Sequence, residues 1–170
     1  MPQLSVIVPT FNEIGNVVAL RDRVATALEG VDWEMIFVDD DSPDGTARSL
    51  REMAQQDRRV RCIQRVGRRG LSSACIEGML ASSAPVVAVI DADLQHDESM
   101  LPRMFELIES EPLDVVVGSR YAESGGIGNW DASRAAASKF ATRLAHLVLK
   151  ADLKDPMSGF FMIRHDAPGV

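Results

Sequence analysis

The chain alternates short β-branched runs with longer segments whose apolar residues recur at helical spacing. Residues 4–8 (LSVIV), 33–38 (WEMIFV), 60–63, 86–90 (VVAVI), 115–117 (VVV) and 159–163 read as strands. The uninterrupted 86–90 and 115–117 runs predict strands buried on both faces. Asn12 is the predicted N-cap of a first helix that turns Val17, Leu20, Val24 and Leu28 inward and stops at Gly30. Residues 46–56 put Ala47, Leu50, Met53 and Ala54 on one face, and residues 71–82 turn Ala74, Cys75, Gly78 and Met79 inward. Further helices are predicted over 100–109 and over 133–150, the latter with Phe140, Leu144, Leu147 and Val148 on one side. No internal repeat is visible. Strands alternating with helices of this length predict an α/β fold, a mostly parallel sheet with helices on both faces. Ligands of such sheets bind at the carboxyl ends of the strands.

Composition narrows the class. A chain of 170 residues, 46% hydrophobic and 25% charged, suits one domain that needs no disulfide or metal staple. Cys62 and Cys75 have no metal-ligand spacing and are expected to be buried free thiols in a reducing cytoplasm. Met1-Pro2-Gln3 offers no basic leader, and the apolar stretch 84–90 is far below the ~20 residues of a membrane span. Eighteen basic against 25 acidic side chains leave a net charge of −7, which disfavours nonspecific nucleic-acid binding. A phosphorylated ligand would need local compensation of that charge.

The candidate chemistry lies where the strands end. Pro9-Thr10-Phe11-Asn12-Glu13 follows the first strand, and Asp39-Asp40-Asp41-Ser42-Pro43-Asp44-Gly45-Thr46 follows the second. Asp91-Ala92-Asp93-Leu94-Gln95-His96 follows the VVAVI strand, and Gly118-Ser119-Arg120-Tyr121 follows VVV. Carboxylates this close repel unless protonated, solvated or bridged by a cation. Asp91 and Asp93 with the amide oxygen of Gln95 make a hard oxygen set suited to Mg²⁺ or Mn²⁺. The plain alternative is an ordinary loop turn, where Asp is common. Asp44-Gly45-Thr46 reads as turn and capping chemistry, Asp41 as a residue facing water, and Asp40 as a possible acceptor for a nucleobase.

V-P-T-F-N-E, V-D-D-D-S-P-D-G-T, D-A-D-L-Q-H, G-S-R-Y and D-P-M-S-G-F-F together resemble the family 2 glycosyltransferases, and within them the dolichol-phosphate (polyprenol-phosphate) mannose synthases. The resemblance covers nearly the whole chain and implies the GT-A fold, with an antiparallel strand near the acceptor site. It implies that Pro9, Phe11, Glu13, Val38 and Asp40 hold the guanosine of GDP-mannose. Asp91, Ala92 and Asp93 match the sugar-nucleotide and metal site, with Gln95 as a third metal ligand. Arg120, Arg134 and Ser138 match positions that hold the acceptor phosphate, and Asp93 and Arg120 are the candidate catalytic pair. Phe11 replaces the commoner Tyr, keeping the ring and losing a hydroxyl. Asp41 stands where the family usually has Gly, and Asp tolerates positive φ better than most residues.

The implied reaction is an inverting transfer of mannose from GDP-mannose to a polyprenyl monophosphate, dependent on Mg²⁺ or Mn²⁺. A phosphate monoester with a second pKa of about 6 is already largely anionic at pH 7. No strong general base is then required, which matches the lack of a Ser/His/Asp or Cys/His set. Asp155 matches a motif near the acceptor, with a catalytic or arginine-orienting role. His96 is expected to act behind the metal ligands or structurally, and His146 and His165 show no partner. Arg58, Arg59, Arg61, Arg65, Arg68 and Arg69 read either as a solvated loop and edge strand or as contacts to diphosphate or lipid headgroups. The 133–150 helix either packs on the sheet or lies on a membrane.

Other readings remain at this level: a UDP-sugar donor with an undecaprenyl phosphate acceptor, or an idle sugar-nucleotide-binding module. A phosphoacceptor receiver domain lacks its late-strand Lys, and a dinucleotide fold lacks G-x-G-x-x-G after the first strand. Residues 1–170 are expected to be one C-terminally truncated catalytic domain, since family members continue past D-P-M-S-G-F-F. Donor binding is accordingly expected to be weaker than in a full-length enzyme. The expected location is cytoplasmic, peripheral at the inner face of the membrane.

Overall fold

The computed structural model describes residues 1–118 and 159–165. In chain order the elements are β1 (Leu4–Thr10), α1 (Val17–Ala27), β2 (Trp33–Asp39), α2 (Thr46–Gln56), β3 (Val60–Gln64), α3 (Leu71–Ala81), β4 (Val86–Val89), a 3₁₀ turn (Glu98–Met100), α4 (Leu101–Ser110), β5 (Val115–Val117) and β6 (Phe161–Arg164). The expected 133–150 helix lies outside the described residues.

The strands form one sheet in the order β3-β2-β1-β4-β6-β5. β1, β2, β3 and β4 pair in parallel, and β6 runs antiparallel to both β4 and β5. The mostly parallel α/β sheet expected from the alternating pattern is therefore present, with one reversed strand. Period-two alternation sorts the strand residues between two cores. Leu4, Val6 and Val8 of β1 pack with Val17, Leu20 and Val24 of α1, Leu50 and Met53 of α2, and Leu101, Met104 and Ile108 of α4. Ile7, Ile36, Val38, Val87 and Val89 face the other way, onto Ala74 and Cys75 of α3.

Several details differ from the sequence reading. β5, expected to be buried on both faces, is half-buried along its length, because it stands last in the strand order with a neighbour on one side only among the described residues. β1 runs through Pro9 to Thr10 rather than stopping before Pro9. Ile7 O accepts from Ile90 on the β4 side and Thr10 O accepts from Asp40 on the β2 side. Pro9 shares the parity of Ile7 but lies past the final β1–β4 rung, Ile7↔Val89, so its missing N–H interrupts no ladder. The first helix starts at Val17 with Asn16 at its cap position, not at Asn12, which has φ 61°. Its first-loop amides are engaged elsewhere, as described below. Asp41 also adopts positive φ, at 58°, so the family's Gly position is occupied by an Asp in the same left-handed region.

Cys75 is buried and Cys62 half-buried, both as free thiols. Burial pushes the Cys75 thiol up to about 12 and the Cys62 thiol up to about 11, so both are inert near neutral pH. Among the described residues no helix is long and apolar enough to cross a membrane.

α3 approaches the sheet closely because Gly78 faces it. A Cβ there would lie 2.3 Å from Ile7 Cγ2 and 3.1 Å from Val38 Cγ2. Gly78→Ala gains about 1 kcal/mol of helix propensity but overpacks the core by about 1–3 kcal/mol. The expected outcome is a net loss of stability, read as a lower urea midpoint with an unchanged m-value.

Candidate active site

The strand order reverses direction between β1 and β4, and the crevice at the carboxyl end of such a switch point is where open α/β sheets bind ligands. The loops leaving β1, β2 and β4 all start at that edge.

The β1 and β2 exits are tied together by side-chain hydrogen bonds. Asp39 is fully buried and accepts from Thr10 Oγ1 (3.2 Å), Ser42 N (2.9 Å) and Ser42 Oγ (2.6 Å). Asn12 N donates to Ser42 Oγ (2.9 Å), Glu13 N to Thr46 Oγ1 (3.1 Å) and Ile14 N to Asp44 Oδ2 (3.2 Å). Asn12 itself has φ 61°, outside the extended region that an N-cap residue takes, so the chain crosses to the second loop here and the helix begins later. Asp44 also accepts from Thr46 N (2.9 Å) and Thr46 Oγ1 (2.6 Å), the turn and capping role expected of it. Its own pKa is held below the usual range: slight burial pushes upward, and hydrogen bonds from Thr46 and Ile14 outweigh it. Asp41 does not simply face water, since Gln64 Nε2 donates to its Oδ1 at 2.7 Å.

Among the residues expected to hold a nucleoside, Phe11 is 40% exposed, with the Arg69 guanidinium 4.3 Å above its ring centroid. Glu13 is half-buried and accepts from Asn16 Nδ2 at 2.7 Å. Pro9 is buried, and the Val38 side chain is locked in the α3-side core, leaving Val38 only its backbone to offer a ligand. Asp40 is buried to 7% exposure, its Oδ1 accepting from Arg65 Nη1 (2.8 Å) and its Oδ2 from Gly70 N (2.7 Å).

The arginine cluster resolves residue by residue. Arg59 makes two bonds to Asp57 (3.0 and 2.8 Å) and covers Trp33. Arg61 binds Glu34 (3.0 Å) and Ala81 O (2.9 Å), and Arg68 pairs with Glu77. Arg65 is different in kind: it is only 2% exposed. Reading the cluster as one block missed this. The available signal was position, since Arg65 directly follows β3, whose last residue Gln64 pairs with Asp39 at the end of β2. Removing one partner of a buried ion pair costs roughly 3–5 kcal/mol, because the other charge is left stranded.

On the other side of the switch point, Asp91 and Asp93 leave β4 around Ala92, which is buried in the α1-side core. Asp93 Oδ1 accepts from Gln95 N at 3.1 Å. His96 places Nε2 3.5 Å from Asp91 Oδ2 and stacks its ring, tilted by 46°, on Phe160. Gly159 lies directly against the Asp91 carboxylate: a Cβ there would come within 2.3 Å of Oδ2. Asp91 nonetheless keeps its side chain 35% exposed. Among the described residues no three His, Cys, Asp or Glu side chains converge on a point. A pair of partly exposed carboxylates fits Mg²⁺ or Mn²⁺, which take few protein ligands and fill their shells with water and phosphate oxygens. The closeness of Gly159 to Asp91 had no sequence signal beyond the S-G-F string itself. Arg120, Arg134, Ser138 and Asp155 lie outside the described residues.

A mostly parallel six-stranded sheet with one reversed strand, carrying carboxylates on the loops that leave its parallel strands, is the architecture of the GT-A fold. The sequence profile of Glycosyl transferase family 2 matches residues 5–168, and the chain belongs to that family. It is 40% identical over 166 residues to a dolichol-phosphate mannosyltransferase of Pyrococcus furiosus, covering 96% of this chain and 47% of that protein. A Saccharomyces cerevisiae protein of the same name is 36% identical, with 94% and 60% covered. The chain thus spans about half the length of the curated relatives it matches. Among solved structures, a mannosyltransferase of Pyrobaculum calidifontis in complex with GDP-Man and Mn²⁺ superposes with a TM-score of 0.57 at 24% identity, over 68% of this chain and 35% of that one. That likeness shows the shared fold.

The Gly159 contact yields a test of the carboxylate site. Gly159→Ala forces the Asp91 carboxylate to turn away, so Mn²⁺ affinity by calorimetry should fall about tenfold, equivalent to ~1.4 kcal/mol. An unchanged affinity would mean that Asp91 does not hold the ion.

Proposed function

We propose that this chain is the donor-binding part of an inverting glycosyltransferase that moves mannose from GDP-mannose to a polyprenyl (dolichyl) monophosphate. The observation that carries the reading is that the parallel strands β1, β2 and β4 end at the same edge of the sheet, where Phe11, Asp40, Asp91 and Asp93 follow them in the chain. The two relatives of that name, 40% and 36% identical, support the choice of donor and acceptor.

In this reading Phe11 and Asp40 bind the guanosine, with Pro9, Glu13 and the Val38 backbone lining its site. Asp91 and Asp93, with Gln95, hold Mg²⁺ or Mn²⁺. When bound, such an ion would supply positive charge that neutralises the diphosphate and so would favour departure of GDP. His96 and Phe160 keep Asp91 oriented, and the missing side chain of Gly159 leaves room for its carboxylate. Arg120, Arg134 and Ser138 grip the acceptor phosphate, whose forked geometry suits guanidinium groups. That phosphate is already anionic at neutral pH, so its oxygen attacks the anomeric carbon as the bond to GDP breaks, with no proton to remove first. The polyprenyl tail belongs to a bilayer, so the enzyme works at the cytoplasmic membrane surface.

Calorimetric titration of GDP, GDP-mannose and UDP-glucose, each with and without Mn²⁺, tests the assignment. GDP and GDP-mannose are expected to bind in a metal-dependent manner and more tightly than UDP-glucose. Selective UDP-glucose binding would instead identify a UDP-sugar enzyme, and the absence of any metal-dependent binding would sink the transferase reading. Asp93→Asn should weaken Mn²⁺-dependent GDP binding by at least about tenfold, since a neutral amide is a poor substitute for a carboxylate on a hard cation.

A further inference from the structure

We propose that Arg65 is a positioning residue for donor recognition, setting the plane of the Asp40 carboxylate so that its remaining acceptor sites meet the paired donors of a guanine edge. The inference rests on the assignment of Asp40 to the nucleobase made above.

An ionised carboxylate has about four acceptor sites, two on each oxygen. Arg65 Nη1 takes one on Oδ1 (2.8 Å), and Gly70 N takes one on Oδ2 (2.7 Å). One site on each oxygen is then left, the number needed by the adjacent N1–H and 2-amino groups of guanine. The terminal torsion of an Asp side chain is broad and nearly two-fold, so its own rotamer preference does not set that plane. External donors on both oxygens do.

Arg65 is placed to act through Asp40 rather than on a ligand directly. At 2% exposure it has no surface to present to a ligand. Its guanidinium is anchored from behind: Nη2 donates to Ser73 Oγ (2.5 Å), Nη1 also donates to Gly70 O (3.1 Å), and Glu77 Oε2 lies 3.4 Å from Nε. Its own backbone N donates to Asp39 O (2.8 Å), so the residue is pinned to the end of β2 at both ends. Asp40 N in turn donates to Thr10 O (3.0 Å), just before Phe11. The same loop that Arg65 closes at Gly70 carries Arg69 over the Phe11 ring. Orientation of the carboxylate and placement of the stacking surface are thus coupled to one buried cation.

The discriminating ligand is inosine diphosphate, which keeps N1–H and lacks the 2-amino group. Calorimetry with Mn²⁺ present compares GDP with inosine diphosphate, and with pyrophosphate as a ligand without a base. The native chain is expected to prefer GDP to inosine diphosphate by about tenfold, the worth of one charge-assisted hydrogen bond. In Arg65→Met that ratio should fall close to unity while pyrophosphate binding stays as in the native chain. Arg65→Lys should restore part of the ratio, and Ser73→Ala, which keeps the charge but loosens its anchor, should lower it. These milder variants carry the test if Arg65→Met does not fold. A native ratio retained in Arg65→Lys and Ser73→Ala, and in Arg65→Met where it folds, would overturn the proposal, as would equal loss of GDP, inosine diphosphate and pyrophosphate. If the native chain itself does not distinguish GDP from inosine diphosphate, the assignment of Asp40 to guanine is what fails.

Discussion

Like charges crowded at one edge of a parallel sheet repel, and the fold gives several of those carboxylates donors of their own. Asp39 and Asp44 are consumed internally. They accept from Thr10, Ser42, Thr46 and Ile14 and lock the first two strand-end loops into one unit. Asp40 is held by a buried arginine and a backbone amide. Asp91, across the switch point, keeps a partly exposed carboxylate. The acidic edge is therefore graded, from carboxylates that serve the fold to the partly exposed carboxylate of Asp91.

That grading reconciles the net charge of −7 with a phosphorylated ligand. Most of the basic residues between 58 and 69 do not offer themselves to an anion. Arg59, Arg61 and Arg68 are paired with Asp57, Glu34 and Glu77, and Arg65 is buried. In the proposed reading, charge compensation would come from a divalent ion held by Asp91 and Asp93, since a bound cation is often the largest local charge in a site.

Much of the fold was legible from periodicity. The runs 33–38, 46–56, 60–63 and 115–117 match their elements to within a residue, because β-branched runs and helical spacing are local properties. The errors fell where a distant partner overrode a local signal. Asn12 looks like a cap but gives its amide to Ser42. Pro9 looks like a strand stop but lies beyond the last rung on its side. Asp41 looks solvated but accepts from Gln64.

For the site, the residue types and their places at strand ends were readable in the sequence: Phe11 and Asp40 on one side, Asp91 and Asp93 on the other. The sequence alone therefore determined the class of fold, the family and which residue types stand at the strand ends, since these depend on local pattern and on motifs contiguous in the chain. Only the tertiary structure separated Arg65 from its neighbours, brought Gly70 onto Asp40, and set Gly159 against Asp91. Those contacts join residues 25, 30 and 68 positions apart. Burial and close approach at such separations are properties of the packed sheet and its loops, with no counterpart in the spacing of letters.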